Sequence, residues 1–111
     1  VKPRSAKNKG VRLQNEVTEY LYKIYSQLEP GDIKPAMMSE SGVDIKLSPA
    51  AKKVIPFAIE CKNVEKFNRN SAIKQSELNS SEGRISLVVF KKNYSKTYAI
   101  ISLEDLINLM K

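Results

Sequence analysis

Hydrophobic positions along this 111-residue chain change their period several times. Between residues 11 and 28, Leu13, Val17, Tyr20, Leu21, Ile24 and Leu28 recur at helical spacing and form one stripe. Glu16 borders that stripe, at about 90° from its centre for 100° per residue, and Glu19 lies nearly opposite it. Pro30-Gly31 ends the helix. A first strand is predicted over 33–38, then a polar loop, Ser39-Glu40-Ser41-Gly42. Residues 43–47 alternate, with Val43, Ile45 and Leu47 on one side and Asp44 and Lys46 on the other. Residues 48–53, which include Pro49, read as a turn that folds this strand back on 54–61 as a hairpin. That pairing brings Asp44 near Glu60.

Val54, Ile55, Phe57 and Ile59 form a β-branched and aromatic run too short for a helix, so 54–61 reads as a buried strand. A polar loop covers 63–70, and Ile73 and Leu78 mark a short helix over 71–79 capped by Asn70 or Ser71. The run 85–90 is nearly all apolar and predicts an interior strand covered on both faces, and 97–101 predicts a further strand. Ser102 then caps a last helix whose first turn carries Glu104 and Asp105, with Leu103, Leu106, Ile107 and Met110 as its buried stripe. The order α-β-β-β-α-β-β-α, without repeats or linker, describes a mixed α/β layer domain over 11–111 behind an arm, 1–10, that Gly10 closes.

Length allows one core. No apolar run approaches bilayer thickness and no signal-peptide pattern opens the chain, so a non-membrane, cytoplasmic setting is expected. A single Cys61 excludes an internal disulfide and reads as a buried core thiol. With no His, any metal site must use oxygen ligands, which selects Mg²⁺, Mn²⁺ or Ca²⁺ over zinc. The net charge of +7 is uneven: Lys2, Arg4, Lys7, Lys9 and Arg12 all precede the first acid, Glu16. Such an arm is either a flexible solubilising tail or a DNA contact. Lys46, Lys52, Lys53, Lys62 and Lys66 near the central acids add weight to a phosphate partner.

Glu60 and Lys62 share one strand face, Ile59 and Cys61 the other. Alone, the pair is a salt bridge at a sheet margin, and a border Glu16 is ordinary helix surface. Together with Asp44 they suggest more. Asp44 and Glu60 on neighbouring strands can hold one divalent ion, with the backbone carbonyl of Cys61 as a third oxygen and Glu16 to complete the shell or support a second ion. Lys62 then sits beside the attacking water and the charge developing on phosphorus. The reaction so described is hydrolysis of a phosphodiester.

The pattern Glu16 … Ser41-Gly42-Val43-Asp44 … Ile59-Glu60-Cys61-Lys62 resembles the PD-(D/E)XK nuclease superfamily, and within it the archaeal-type Holliday junction resolvases, which also occur in phage-like settings. Lys9-Gly10 before the helix, Gln75, and the closing Leu103-Glu104-Asp105-Leu106 extend the likeness over nearly the whole chain, while Val43 stands where the motif has proline. The resemblance implies a restriction-endonuclease-like core, a mixed central sheet flanked by helices. It implies Asp44 and Glu60 as ligands of Mg²⁺ (or Mn²⁺), Lys62 as the water-activating residue, Glu16 as the helix-borne acid and Gln75 as an accessory group. Ser39 or Ser41 matches a loop serine that approaches the scissile phosphate.

The leading expectation is therefore a homodimeric, structure-selective DNA endonuclease that resolves four-way junctions, since paired nicks across a two-fold junction need two sites. The alternatives are a nuclease of the same fold acting on other DNA (nicking, restriction-like or repair) and a catalytically idle DNA-binding module.

Overall fold

The computed structural model describes residues 3–37, 42–80 and 83–111. Its elements run α1 (Pro3–Ile24), β1 (Ile33–Pro35), β2 (Ile45–Leu47), α2 (Pro49–Val54), β3 (Phe57–Asn63), α3 (Arg69–Asn79), β4 (Ile85–Lys91), β5 (Tyr98–Ile100) and α4 (Leu103–Met110). The mixed α/β class is as expected, with one helix more than the sequence pattern suggests. Lys2, Ser39 and Ser41 lie outside the described residues, as does Met38 at the expected end of the first strand.

Helix α1 begins well before the expected position. Pro3, whose missing N–H costs nothing in a first turn, opens it, and the helix runs through Gly10 into the amphipathic stretch. Arg4, Lys7 and Lys9 therefore stand on helical backbone, and the helix starts ahead of the expected residue 11. One interior glycine costs a helix only about 1 kcal/mol relative to alanine. The Asn63 side chain of β3 also donates to the Lys9 carbonyl at 3.1 Å, tying this part of the helix to the sheet. After Ile24 the chain reverses through Glu29-Pro30-Gly31-Asp32, where the Asp32 amide donates to the Glu29 carbonyl at 3.0 Å and Gly31 takes φ +93. Pro then Gly at the two central positions is what a type II turn requires.

The segment 48–53 is not a hairpin turn. Ser48 accepts from the Ala51 amide at 3.1 Å and caps α2, whose first residue is Pro49. Ser-Pro-Ala-Ala is a helix start, and these local preferences overrule the turn reading of the same proline. Strand β2 pairs instead with β1, antiparallel, Ile33 opposite Leu47. A second sheet has the order β3-β4-β5, with β3 parallel to β4 (Phe57 opposite Ile85) and β4 antiparallel to β5 (Phe90 opposite Tyr98). Arg84, just ahead of β4, donates to the carbonyls of Lys52 (3.0 Å) and Phe57 (3.1 Å) and to that of Ile55. It thereby satisfies backbone groups that the end of α2 leaves open.

Asp44 joins the two sheets. Its amide donates to the Ile59 carbonyl at 3.0 Å, and its carbonyl accepts from Ala36 at 2.7 Å. Under the junction lies the core, in which Leu13 and Val17 of α1 pack with Ile33, Ile45, Ala51, Ile55, Ile59, Cys61 and Val89. Leu13, Ile45, Ile55 and Ile59 are fully buried, each contributing roughly 1.5–3 kcal/mol. Because side chains alternate along β3, this core uses Ile59 and Cys61, and Glu60 and Lys62 are turned to the α3 side of the sheet.

Helix α4 forms over the expected residues, with Ser102 accepting from the Asp105 amide at 3.1 Å. Its apolar stripe is not buried. Leu103 is 69% exposed and Met110 76%, with Leu106 and Ile107 also open to solvent. Helical spacing shows which side chains share a face, but not whether this chain supplies a surface to cover it. No described helix is long and apolar enough to cross a membrane.

Candidate metal and phosphodiester site

The site is built where β3 meets Asp44. Every strand residue points its N–H and C=O to the same side, and the Cys61 amide donates not to β4 but to Asp44 Oδ2, at 2.7 Å. This bond fixes the Asp44 carboxylate on the free edge of β3, and the Cys61 carbonyl projects along that same edge. Gly42 sits at φ +94 just upstream, a left-handed conformation that admits glycine without strain. It starts the short approach to Asp44.

Glu60 is 2% exposed. Its Oε1 accepts from Asn79 Nδ2 at 2.8 Å, and the Asp44 carboxylate lies close enough to act on it. Two carboxyl groups this close must share one proton or one cation. Burial is the largest influence on Glu60, and its pKa is pushed up to about 7. The Asn79 hydrogen bond opposes that rise, the Asp44 charge adds to it, and the Lys62 charge pulls it back. The Cys61 thiol is 8% exposed and is pushed well above its ordinary range, first by burial and then by the two acids. It is a core group, as expected, and is not poised as a nucleophile.

Lys62 is half-buried on the Glu60 face of β3. Among the described residues it forms no ion pair within 4.0 Å, so the simple salt-bridge reading of Glu60 and Lys62 does not hold. Lys62 instead supplies a positive field to a carboxylate pair that carries an excess of negative charge.

Other expected site residues are not gathered here. Glu16 lies on α1, against the Ile59/Cys61 face, in a hollow of about 630 Å³ shared with Lys9, Arg12, Asn63 and Lys91. Among the described residues no three Asp, Glu, His or Cys side chains converge to hold a metal ion, so Glu16 does not complete the shell. The reason is the alternation along β3: α1 packs on the face from which Glu60 is turned away. Gln75 is exposed on α3. Helix α3 instead turns Ala72, Ser76 and Asn79 toward the sheet, and Leu78, expected to anchor it, is 81% exposed. Asn79 is thus the site residue that sequence reasoning missed. The spacing Ala72, Ser76, Asn79 was its one signal, since small residues at helical intervals mark a close approach to a neighbouring element. Arg12 is exposed and Lys9 half-buried, both on α1.

The donors present suit a hard divalent cation. Two carboxylates and a strand-edge carbonyl offer oxygen only, and Mg²⁺ or Mn²⁺ retains waters where protein ligands are few. Glu60 is buried beside a second carboxylate, Asp44, and a divalent cation between them removes their mutual repulsion. No family model, curated protein or solved structure matches this chain.

Proposed function

We propose that this chain is a metal-dependent DNA endonuclease acting on branched DNA, with the four-way junction as its substrate. The observation that carries this reading is the adjacency of Asp44 and Glu60: Asp44 Oδ2 accepts from the amide of Cys61, the residue next to Glu60, and Lys62 shares the Glu60 face of the strand. Asp44, Glu60 and the Cys61 carbonyl would hold Mg²⁺ or Mn²⁺. When bound, the ion supplies Lewis-acid polarisation of the phosphodiester and a nucleophile at neutral pH.

The chain's own residues do the rest. The Cys61 amide orients Asp44, and Asn79 orients Glu60, so both carboxylates are set before substrate arrives. Lys62 holds a positive charge where negative charge grows on the phosphoryl oxygens, an electrostatic contribution that needs no reorganisation during the reaction. The net charge of +7, with Arg12 exposed on α1, supports a polyanionic partner. A homodimer belongs to the reading, because two nicks across a two-fold junction need two sites, and the uncovered stripe of α4 supports a second copy.

The test is cleavage of a four-way junction beside a linear duplex of matched sequence, in Mg²⁺, Mn²⁺ or EDTA. Junction cutting with either metal, its loss in EDTA, and its loss in Asp44→Asn and Glu60→Gln with junction binding retained are the expected results. Equal cutting of the duplex leaves a nuclease of other DNA. No turnover on any DNA form leaves a binding module.

A further inference from the structure

The α3-side face of the sheet carries a second feature one strand away from Lys62. Lys62 is paired with Phe90 across the parallel ladder, and Phe90 with Tyr98 across the antiparallel one. Directly opposed residues point to the same face, so Lys62, Phe90 and Tyr98 form one row. Phe67, from the loop after β3, stacks on Phe90 with ring centroids 4.4 Å apart and 3° between planes, and Phe90 lies 5.7 Å from Tyr98. Packing accounts for Phe67 on Phe90, since each covers the other. It does not account for Tyr98, which ends the ladder 55% exposed.

Cations surround the ladder. Phe67 and Phe90 line an open hollow of about 740 Å³ together with Lys66, Arg69 and Lys92. Its single acid, Glu65, accepts from the Asn93 amide at 3.0 Å. Aromatic faces with basic rims are the means by which proteins hold single strands, because every base has a π-face and every nucleotide a phosphate. In a duplex those faces are occupied by neighbouring bases.

We propose that this face seats an unpaired base of a DNA strand, stacked on the Phe67–Phe90–Tyr98 ladder, with Lys66, Arg69 and Lys92 on the flanking phosphates. The seat deepens the endonuclease reading and rests on it for its purpose: it selects DNA with a frayed or branched strand at the cleavage point. Adjacent strands lie about 4.8 Å apart, so Tyr98 is roughly 10 Å from Lys62. The stacked base therefore lies within about three nucleotides of the phosphate facing Lys62, counting about 3.4 Å per base step.

The experiment uses the full chain in EDTA, where nothing is cut. A single strand of roughly 12 nucleotides carrying 2-aminopurine, and a blunt duplex of the same sequence, are titrated by anisotropy and by 2-aminopurine fluorescence. The parent should quench the probe in the single strand. Tyr98→Ala and Phe67→Leu should each weaken single-strand binding about tenfold and abolish the quench, with duplex affinity changed by less than about twofold, and Tyr98→Phe should keep both signals. Replacing Lys66, Arg69 and Lys92 together by Gln should lower the log–log salt slope on the single strand by about 0.7 per lost contact. An unquenched parent, parental single-strand affinity in Tyr98→Ala and Phe67→Leu, or equal loss on both DNA forms would overturn the seat. A failed seat leaves cleavage in Mg²⁺ untouched, whereas a parent that quenches the probe but cuts no DNA in Mg²⁺ overturns the endonuclease reading alone.

Discussion

Asn79 Nδ2 donates to Glu60 Oε1 at 2.8 Å, so the last residue of α3 holds the carboxylate at the centre of β3. The same amide group lies 3.4 Å from the Gly42 carbonyl, which places it between β3 and the approach to Asp44. Asn79 acts through Glu60 and is a positioning residue. Asn79→Ala removes a bond that lowers the Glu60 pKa, so that pKa should rise above about 7. Cleavage should fall by about tenfold at pH 7 and recover in part at higher pH, as a pH–rate profile would record. A uniform loss at every pH would mean that Asn79 only supports the fold.

Glu60 makes stability depend on pH in a direction unusual for a carboxylate. Its folded pKa, about 7, stands above the ordinary 4.5, so between these values the folded chain binds more protons than the unfolded one. Its contribution is complete below pH 4.5 and is lost as pH rises through 7. The loss amounts to about 3 kcal/mol. Glu60→Gln cannot ionise, so the variant should melt higher than the parent at pH 8, with no such advantage at pH 4. Mg²⁺ should raise the melting temperature of the parent at pH 8 and not that of the variant. Equal Mg²⁺ shifts in both proteins would place the ion elsewhere.

Ser48 has two duties. Its Oγ accepts from Ala51 at 3.1 Å to cap α2 and donates to Asp32 Oδ1 at 2.7 Å. Ser48→Ala should cost about 1–2 kcal/mol, read from the denaturant midpoint. Ser48→Asp keeps an acceptor for the cap but sets a second carboxylate against Asp32, so it should not restore the parent's stability.

The stripe on α4 predicts association. Leu106 and Ile107, 41% and 45% exposed, would be covered in a dimer. Light scattering on the parent should report twice the mass of one chain, and Leu106→Glu with Ile107→Lys should report one. A monomeric parent would remove the dimer from the proposed function.

Much of this molecule is legible in local pattern. The α1 stripe, the alternation at Asp44, the apolar run of β4 and the cap at Ser102 each follow from side-chain period and backbone chemistry acting within a few residues. That Glu60 and Lys62 share a face was legible too, because alternation along a strand dictates it, whereas the nearness of Asp44 was expected from a hairpin between β2 and β3 that does not form. At Ser48-Pro49 the turn reading gave way to a capped helix start, and helix α2 moved the partner of β2 from β3 to β1.

Only the tertiary structure decided what lies across space from each group. It set Glu16 on the far side of the sheet, chose Asn79 over Gln75 as the partner of Glu60, left the α4 stripe uncovered and brought Phe67 onto Phe90. Period tells which side chains share a surface, a property of one segment. Which surfaces then meet depends on how helices and strands from distant parts of the chain compete for the same apolar area, and no single segment carries that information.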